Sequence, residues 1–144
     1  MSAPHVEIVH REEFAAAHRL HNPALSDEEN RRIFGACNNE YGHGHNYVLD
    51  VVVRGAVDPR TGMVMNLVDL AGLVHEEIFT RCDHKHLNQD VDFLSGIITT
   101  AENLAIAFWE RLAPRIEEHG ACRLHRIRIY ESRKDYVDYK GPRS

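Results

Sequence analysis

The sequence predicts an α+β fold in which two long helices cover one face of an antiparallel, four-stranded sheet. Three observations lead to this prediction. Some segments alternate apolar and polar residues, others repeat apolar residues every three or four positions, and the strand-type segments lie at both ends of the chain. The 144 residues are within the usual length of one domain. No linker or internal repeat divides them, so we expect a single domain over residues 1–144.

The first part of the chain predicts two long strands with a short helix between them. Val6 to His18 is predicted as the first strand. Ser26 and Glu29 form the Ser-x-x-Glu pattern of a capping box, which predicts a short helix to about Phe34. The second strand is predicted over Tyr47 to Val57, where apolar residues alternate with others. After a turn, the chain is expected to return as the second arm of a hairpin, Met63 to Asn66.

The second part predicts two long helices and a closing hairpin. Apolar residues at helical spacing predict one helix from Leu67 to about Ile78 and another from about residue 101. Thr99 and Glu102 match a capping box at the start of the second helix, and Pro114 is expected to kink or shorten it. The last two strands are predicted at Leu124–Glu131 and Tyr136–Tyr139.

Composition excludes several classes of protein. The formal net charge of −5 argues against a general nucleic-acid binder, and no apolar run approaches the ~20 residues that span a bilayer. The first nine residues lack the apolar core of a signal peptide, so we expect the protein in the cytoplasm. Three cysteines without a framework spacing are expected to be reduced thiols. An assembly of several copies would cover the open edges of so small a sheet.

Three histidines form a candidate metal site. His43 and His45 are separated by one residue at the entry to a strand, so in an extended chain both imidazoles point to the same side. His18 ends the first predicted strand, and an antiparallel neighbour could bring it alongside them. Three neutral imidazoles with an open fourth position form a catalytic zinc arrangement. We therefore expect these three histidines to bind a metal ion, and prefer this interpretation to that of ordinary surface or core residues.

Cys37 has three interpretations that its position leaves open. It could be a small buried hydrophobic residue. It could instead be the fourth ligand of a closed structural zinc site, since the step of six positions from Cys37 to His43 allows that geometry. The third interpretation is a thiolate beside a cation, which takes a proton from a substrate. The other two cysteines, Cys82 and Cys122, lack such neighbours and are expected to be packing residues.

Four acidic and polar residues, together with one histidine, are further candidates. Asp83 and His84 follow the first long helix, where a carboxylate could fix and charge an imidazole, or where a histidine could favour a helix C-terminus. Glu131 ends a strand and is either solvated or able to accept paired hydrogen bonds from a heterocycle. Thr100 and Glu102 are candidates for the same pocket, with helix capping as the alternative.

Together these residues resemble the 6-pyruvoyl-tetrahydropterin synthase family, over nearly the whole chain and most closely its animal-type members. The chain departs from the family at Ala101, where animal enzymes tend to carry threonine, and at Glu40–Tyr41, where a Pro-Asn pair is expected. The segments that carry the resemblance are 14–20, 26–30, 37–39, 42–47, 58–59 with 61–67, 83–85 with Leu87, 102–103, 130–131 and 139–141.

The resemblance implies the tunnelling fold, in which the sheets of several copies assemble into a barrel. It implies a homohexamer, made of two stacked trimers, with active sites at subunit interfaces. It also implies that His18, His43 and His45 bind Zn²⁺. The implied substrate is 7,8-dihydroneopterin triphosphate, which would be converted to 6-pyruvoyl-tetrahydropterin with elimination of triphosphate.

The resemblance also implies roles for the remaining candidates. Cys37 would be the catalytic base, and Asp83 and His84 would complete a relay with it across a subunit boundary. Glu131 would anchor the pterin ring, and Thr100 and Glu102 would line the pterin pocket. Apart from the resemblance, a triphosphate needs cationic neighbours, and Arg19, His21, Lys85 and His86 are the candidates that the sequence offers.

Three other functions remain open on the sequence. The nearest is 6-carboxy-tetrahydropterin synthase of the queuosine pathway, which shares the fold, the zinc and the substrate. Its cysteine tends to lie closer to the His-Gly-His motif, so the five residues between Cys37 and His43 favour the pyruvoyl enzyme. A zinc hydrolase would leave Cys37 without a task. A non-catalytic module would use Cys37 to close a structural zinc site.

Overall fold

Five strands form one sheet in the order β3-β1-β2-β4-β5 in the computed structural model, which describes residues 3–142. All pairs are antiparallel except β3 with β1, which is parallel. The α+β class is confirmed: the four predicted strands are present and the two-residue β3 is added. Across the described residues the sheet stays open, with β3 and β5 at its ends. The strands are β1 His5–His18, β2 His43–Ala56, β3 Lys85–His86, β4 Arg123–Tyr130 and β5 Tyr136–Tyr139.

The helices begin close to where the sequence predicts them. The Ser26–Glu29 capping box is present at the first helix, and the Gly35 that follows it opens a short 3-10 turn. The first long helix contains one π-helical turn, His75–Phe79. In the part of the chain that is described, no helix is both long and apolar enough to cross a bilayer. The helices are α1 Asp27–Phe34, α2 Leu67–Val74, α3 Thr80–Cys82 and α4 Ala101–Glu117, and the 3-10 turn is Gly35–Asn38.

The core lies between one face of the sheet and the helices α2 and α4. Phe14 of β1 stacks on Tyr47 of β2 with ring centroids 5.1 Å apart, and the edge of Phe14 meets Phe108 of α4 at 6.1 Å. All three rings are buried. Burying such a side chain contributes about 1.5–3 kcal/mol. This aromatic cluster fixes the end of the β1–β2 pair at which the predicted metal ligands lie.

The predicted hairpin arm Met63–Asn66 was wrong, because this segment forms no strand. The alternation in β2 is real, but β1 pairs with one side of β2 and β4 with the other. Over Val48–Arg54, β4 therefore occupies the edge of β2 that a returning arm would need. Met65 is buried in the core instead, and Asn66 caps α2 by accepting a hydrogen bond from the Val68 amide.

Helix α4 differs from the sequence prediction at its start. The residue that caps it is Thr100, whose side chain accepts a hydrogen bond from the Asn103 amide. The predicted cap on Thr99 was therefore wrong by one residue, because Thr99 is used at the histidine cluster. At the other end, the helix continues three residues past Pro114, to Glu117.

Candidate metal centre and catalytic site

The register of β1 and β2 brings the three predicted metal ligands together. His18 lies opposite His43, and Ala16 lies opposite His45. Because side chains alternate between the faces of a sheet, the three imidazoles share the core face. Their ring centroids are 4.7 Å apart for His18 and His43, 5.1 Å for His18 and His45, and 4.8 Å for His43 and His45.

Glu131, which follows β4, joins this cluster. Its Oε1 lies 3.1 Å from Nε2 of His45 and 3.7 Å from Nε2 of His18. The possible ligand atoms of the three histidines and Glu131 all lie within 4.8 Å of one another. Among residues 3–142, this is the one group of three or more such side chains that could hold a metal ion. The sequence prediction had Glu131 near a substrate and not beside the imidazoles.

The chemistry of the cluster fits a divalent transition metal. Burial lowers the pKa of His18 to about 4 and also lowers the pKa of His45, so both imidazoles are neutral near pH 7. Neutral imidazole is the form that binds a metal. A ring nitrogen of His43 and one of His45 are buried without a hydrogen-bond partner, which is costly in a folded protein. A metal ion bound by Nε2 of His45 would satisfy that atom.

A chain of hydrogen bonds behind His18 sets its tautomer. Nδ1 of His18 donates to the carbonyl oxygen of Thr99 at 2.7 Å, so the lone pair is on Nε2, which lies 3.2 Å from Nε2 of His43. The Thr99 hydroxyl donates to Oδ1 of Asn88, which also accepts from the Arg19 amide. Such outer contacts orient metal ligands. No pattern in the sequence indicates Thr99 or Asn88 for this role.

Cys37 lies in the 3-10 turn and is partly exposed. Its carbonyl oxygen accepts a hydrogen bond from the Leu20 amide at 2.9 Å, two residues beyond His18. The turn that carries the thiol is thus joined to the end of the strand that carries His18. Cys37 is nevertheless outside the metal-binding group of the described residues, which argues against its being a fourth ligand.

The other two thiols have the surroundings of packing residues, as predicted. Cys82 and Cys122 are 0% and 2% exposed. Burial raises the pKa of Cys82 to about 12 and also raises the pKa of Cys122. Both therefore remain protonated and unreactive near neutral pH.

Asp83 and His84 form a hydrogen-bonded pair at the end of α3. Oδ2 of Asp83 accepts from Nδ1 of His84 at 2.7 Å, and Oδ1 accepts from the Ala15 amide at 3.0 Å. The Ala15 hydrogen bond, followed by that from His84, lowers the pKa of Asp83. The His84 side chain is 82% exposed within one chain. The carboxylate thus orients an imidazole that faces solvent.

Thr100 and Glu102 are in the positions that helix capping requires. The Thr100 hydroxyl is used by the Asn103 amide, and Glu102 is exposed in the first turn of α4. Their predicted role in a pterin pocket remains a prediction.

Fold and site together define an α+β protein with a cluster of side chains that could hold a metal ion. The family model described as 6-pyruvoyl tetrahydropterin synthase matches residues 7–142. The chain therefore belongs to this family, and its fold is the tunnelling fold that the resemblance implied.

Curated relatives and a solved structure agree with this assignment. The chain is 48% identical over 128 residues to a 6-pyruvoyl tetrahydrobiopterin synthase of Poecilia reticulata, which covers 89% of this chain and 85% of that protein. It is 44% identical over 135 residues to the Homo sapiens protein of the same name, covering 94% and 91%. The 6-pyruvoyl tetrahydropterin synthase structure of Caenorhabditis elegans superposes with a TM-score of 0.88 at 39% identity, covering 99% of each chain.

Proposed function

We propose that this protein is a zinc-dependent lyase that converts 7,8-dihydroneopterin triphosphate to 6-pyruvoyl-tetrahydropterin and eliminates triphosphate. The observation that carries the proposal is the cluster of His18, His43 and His45, with a partly exposed cysteine on a segment bonded to the chain just after His18. The names of relatives at 44% and 48% identity support the choice of reaction.

His18, His43 and His45 are the proposed zinc ligands. Nitrogen ligands of this kind suit zinc, and three of them leave a fourth position open. Zinc bound there would supply Lewis acidity toward the hydroxyls of the substrate side chain, which acidifies the neighbouring C–H bonds. Glu131 as a fourth protein ligand would close that position. We therefore keep Glu131 as the anchor for the pterin ring, where a carboxylate accepts paired N–H donors.

Cys37 is the proposed base that removes a carbon-bound proton and returns it to the neighbouring carbon. This transfer oxidises the side-chain carbon to the level of a ketone while the ring is reduced from dihydropterin to tetrahydropterin, so the reaction needs no nicotinamide. Asp83 fixes His84 as its Nδ1–H tautomer, so Nε2 is the atom that can accept or deliver a proton. His84 is exposed in one chain, and this supports a relay completed by Cys37 of another copy.

The assembly is proposed to be a homohexamer of two stacked trimers. Open sheet ends support this, since β3 pairs with only two residues of β1 and leaves most of that edge unpaired in the described chain. Sedimentation should give six times the mass of one chain.

A cytoplasmic location is proposed as well. The three free cysteines support it, because reduced thiols are typical of the cytoplasm, and cell fractionation would test it.

The alternatives are weaker on specific observations. A structural zinc module needs Cys37 among the ligands, and within residues 3–142 the metal-binding group does not include it. A zinc hydrolase gives Cys37 no task. The 6-carboxy-tetrahydropterin synthase shares the site, and the spacing of Cys37 from His43 together with the relatives' names favours the pyruvoyl product.

The deciding experiment is to incubate zinc-loaded protein with 7,8-dihydroneopterin triphosphate without oxygen and to take the mass of the pterin product. A pyruvoyl product with released triphosphate supports the proposal. A carboxy product with acetaldehyde assigns the queuosine-type reaction. Unchanged substrate contradicts both. Metal-free protein and Cys37→Ala are the controls, and in the time that the wild type needs for full conversion both should leave nearly all of the substrate unconverted.

A further inference from the structure

Four hydrogen bonds tie the segment after β1, residues 19–21, to the turn that carries Cys37. The Leu20 amide donates to the Cys37 carbonyl at 2.9 Å, and Nε of Arg19 donates to the Asn38 carbonyl at 3.0 Å. Nδ2 of Asn38 donates to the Leu20 carbonyl at 2.7 Å and to Nδ1 of His21 at 2.9 Å. Three of the four bonds therefore involve Asn38.

The Asn38 side chain is well defined by these contacts. It is 6% exposed, and its Nδ2 has two acceptors, so both of its N–H groups are used. The Leu20 carbonyl can only accept, which fixes which end of the amide is nitrogen. His21 must then accept at Nδ1 and carry its proton on Nε2. No other side chain of this size offers two donors from one atom in this geometry; an aspartate offers none.

The position of Cys37 depends on such contacts because the turn itself is weak. It has four residues, and 3-10 hydrogen bonds have poorer geometry than those of an α-helix. Residues 19–21, in contrast, directly follow the buried His18 at the end of a strand. Bonds from this segment to residues 37 and 38 therefore join the turn that carries the thiol to the end of the strand that carries His18.

We propose that Asn38 is a positioning residue, which holds the Cys37 thiol beside the metal site through its bonds to residues 19–21. The expected effect of Asn38 on turnover rests on the proposed function. The expected effect of Asn38 on the reactivity of the Cys37 thiol does not depend on which reaction the protein catalyses. Misplacing a reacting group by about 1 Å costs about a hundredfold in rate.

The test compares Asn38→Asp and Asn38→Ala with Asn39→Asp and Asn39→Ala. Asn39 is exposed, and the Nδ2 atom of its side chain makes one long contact, 3.4 Å to the Gly42 carbonyl. The two aspartates add the same formal charge within two residues of Cys37, and the two alanines add none. The alanine pair therefore reports the loss of the Asn38 hydrogen bonds without a new charge. Zinc content should equal that of the wild type in all four variants.

The first readout is alkylation of Cys37 by iodoacetamide at pH 7, with and without zinc. Cys82 and Cys122 are buried, so labelling of the native protein reports Cys37, and peptide mass confirms the site. A nearby cation increases the thiolate fraction, so zinc should accelerate alkylation of the wild type and of the Asn39 variants several-fold. In the Asn38 variants this acceleration should fall below about twofold.

The second readout is steady-state turnover of 7,8-dihydroneopterin triphosphate. The Asn38 variants should lose roughly ten- to hundredfold in kcat with KM little changed. The proposal would be overturned if the Asn38 variants kept both the zinc acceleration and the wild-type kcat. It would also be overturned if zinc did not change the alkylation rate of the wild type. If the wild type does not convert the substrate, the proposed function is contradicted, but the alkylation result still tests the role of Asn38. Should the Asn38 variants fail to fold, His21→Leu removes one acceptor and should lose part of the zinc acceleration; full retention there would also count against Asn38.

Discussion

Metal-free protein should lose stability in a defined pH window because the fold keeps His18 neutral. The imidazole is fully buried, and burial is the largest cause that lowers its pKa to about 4 from an ordinary value of 6.5. The hydrogen bond to the Thr99 carbonyl acts in the opposite direction and offsets only part of this effect. In the unfolded chain, His18 binds a proton once the pH falls below about 6.5.

The expected loss follows from these two values. Above pH 6.5 neither state holds the proton, and the contribution of neutral His18 to stability is fully present. Between 6.5 and about 4 the unfolded chain gains a proton that the folded chain does not, so the free energy of unfolding falls as the pH falls. Each pH unit is worth about 1.4 kcal/mol, so the whole window is worth about 3 kcal/mol. The lowered pKa of Asp83 acts below this window, since its ordinary value is 3.8.

Urea unfolding of the metal-free protein at pH 7.5 and pH 4.5 measures this difference. The control is His18→Gln, which removes the titrating group and keeps a side chain of similar size. Comparing the two pH values within each protein cancels the cost of the substitution itself. The wild type should lose about 2–3 kcal/mol more than the variant between the two pH values. Equal losses in the two proteins would refute the assignment of His18 as a buried neutral imidazole.

Three further predictions concern the proposed catalytic groups. Cys37→Ala should keep its zinc and lose at least about a hundredfold in kcat, since a general base contributes that much; normal turnover would show that another group takes the proton. Glu131→Gln should keep its zinc and raise KM for the pterin substrate, whereas zinc loss, measured by metal analysis, would make Glu131 a ligand. Ala15 and His84 donate to different oxygens of Asp83, so Asp83→Asn, which replaces one oxygen by an NH2 group, loses one of the two contacts; kcat should fall about tenfold or more at unchanged zinc content, and an unchanged kcat would remove the pair from the mechanism.

The part of the site that follows from strand geometry was predictable. One residue between His43 and His45 places both rings on one face of any strand, and an antiparallel partner that ends at His18 supplies the third ring. Thr99 could not be predicted, because it meets His18 across 81 positions of the sequence. Its own neighbourhood predicts a helix cap, a role that the next residue takes.

Glu131 and the segment Met63–Asn66 both show that local sequence patterns do not predict which strands pair. Glu131 reaches the imidazoles because β4 pairs with β2, which no local pattern reveals. The same pairing explains why the predicted hairpin arm Met63–Asn66 does not form, since β4 occupies the edge of β2 that the arm would need. Local alternation thus predicts that a segment is a strand, but the choice of its neighbours depends on the packing of the whole sheet.

One register of β1 against β2 builds both the core and the metal centre. The pairing that stacks Phe14 on Tyr47 also places His18 opposite His43. A slip of one residue would turn each side chain of β1 to the other face, which would expose Phe14 and remove His18 from the cluster together. The aromatic stack therefore selects the register that the metal ligands require. Since burial at this end of the sheet also keeps His18 neutral, the force that stabilises the fold prepares the imidazoles to bind a metal.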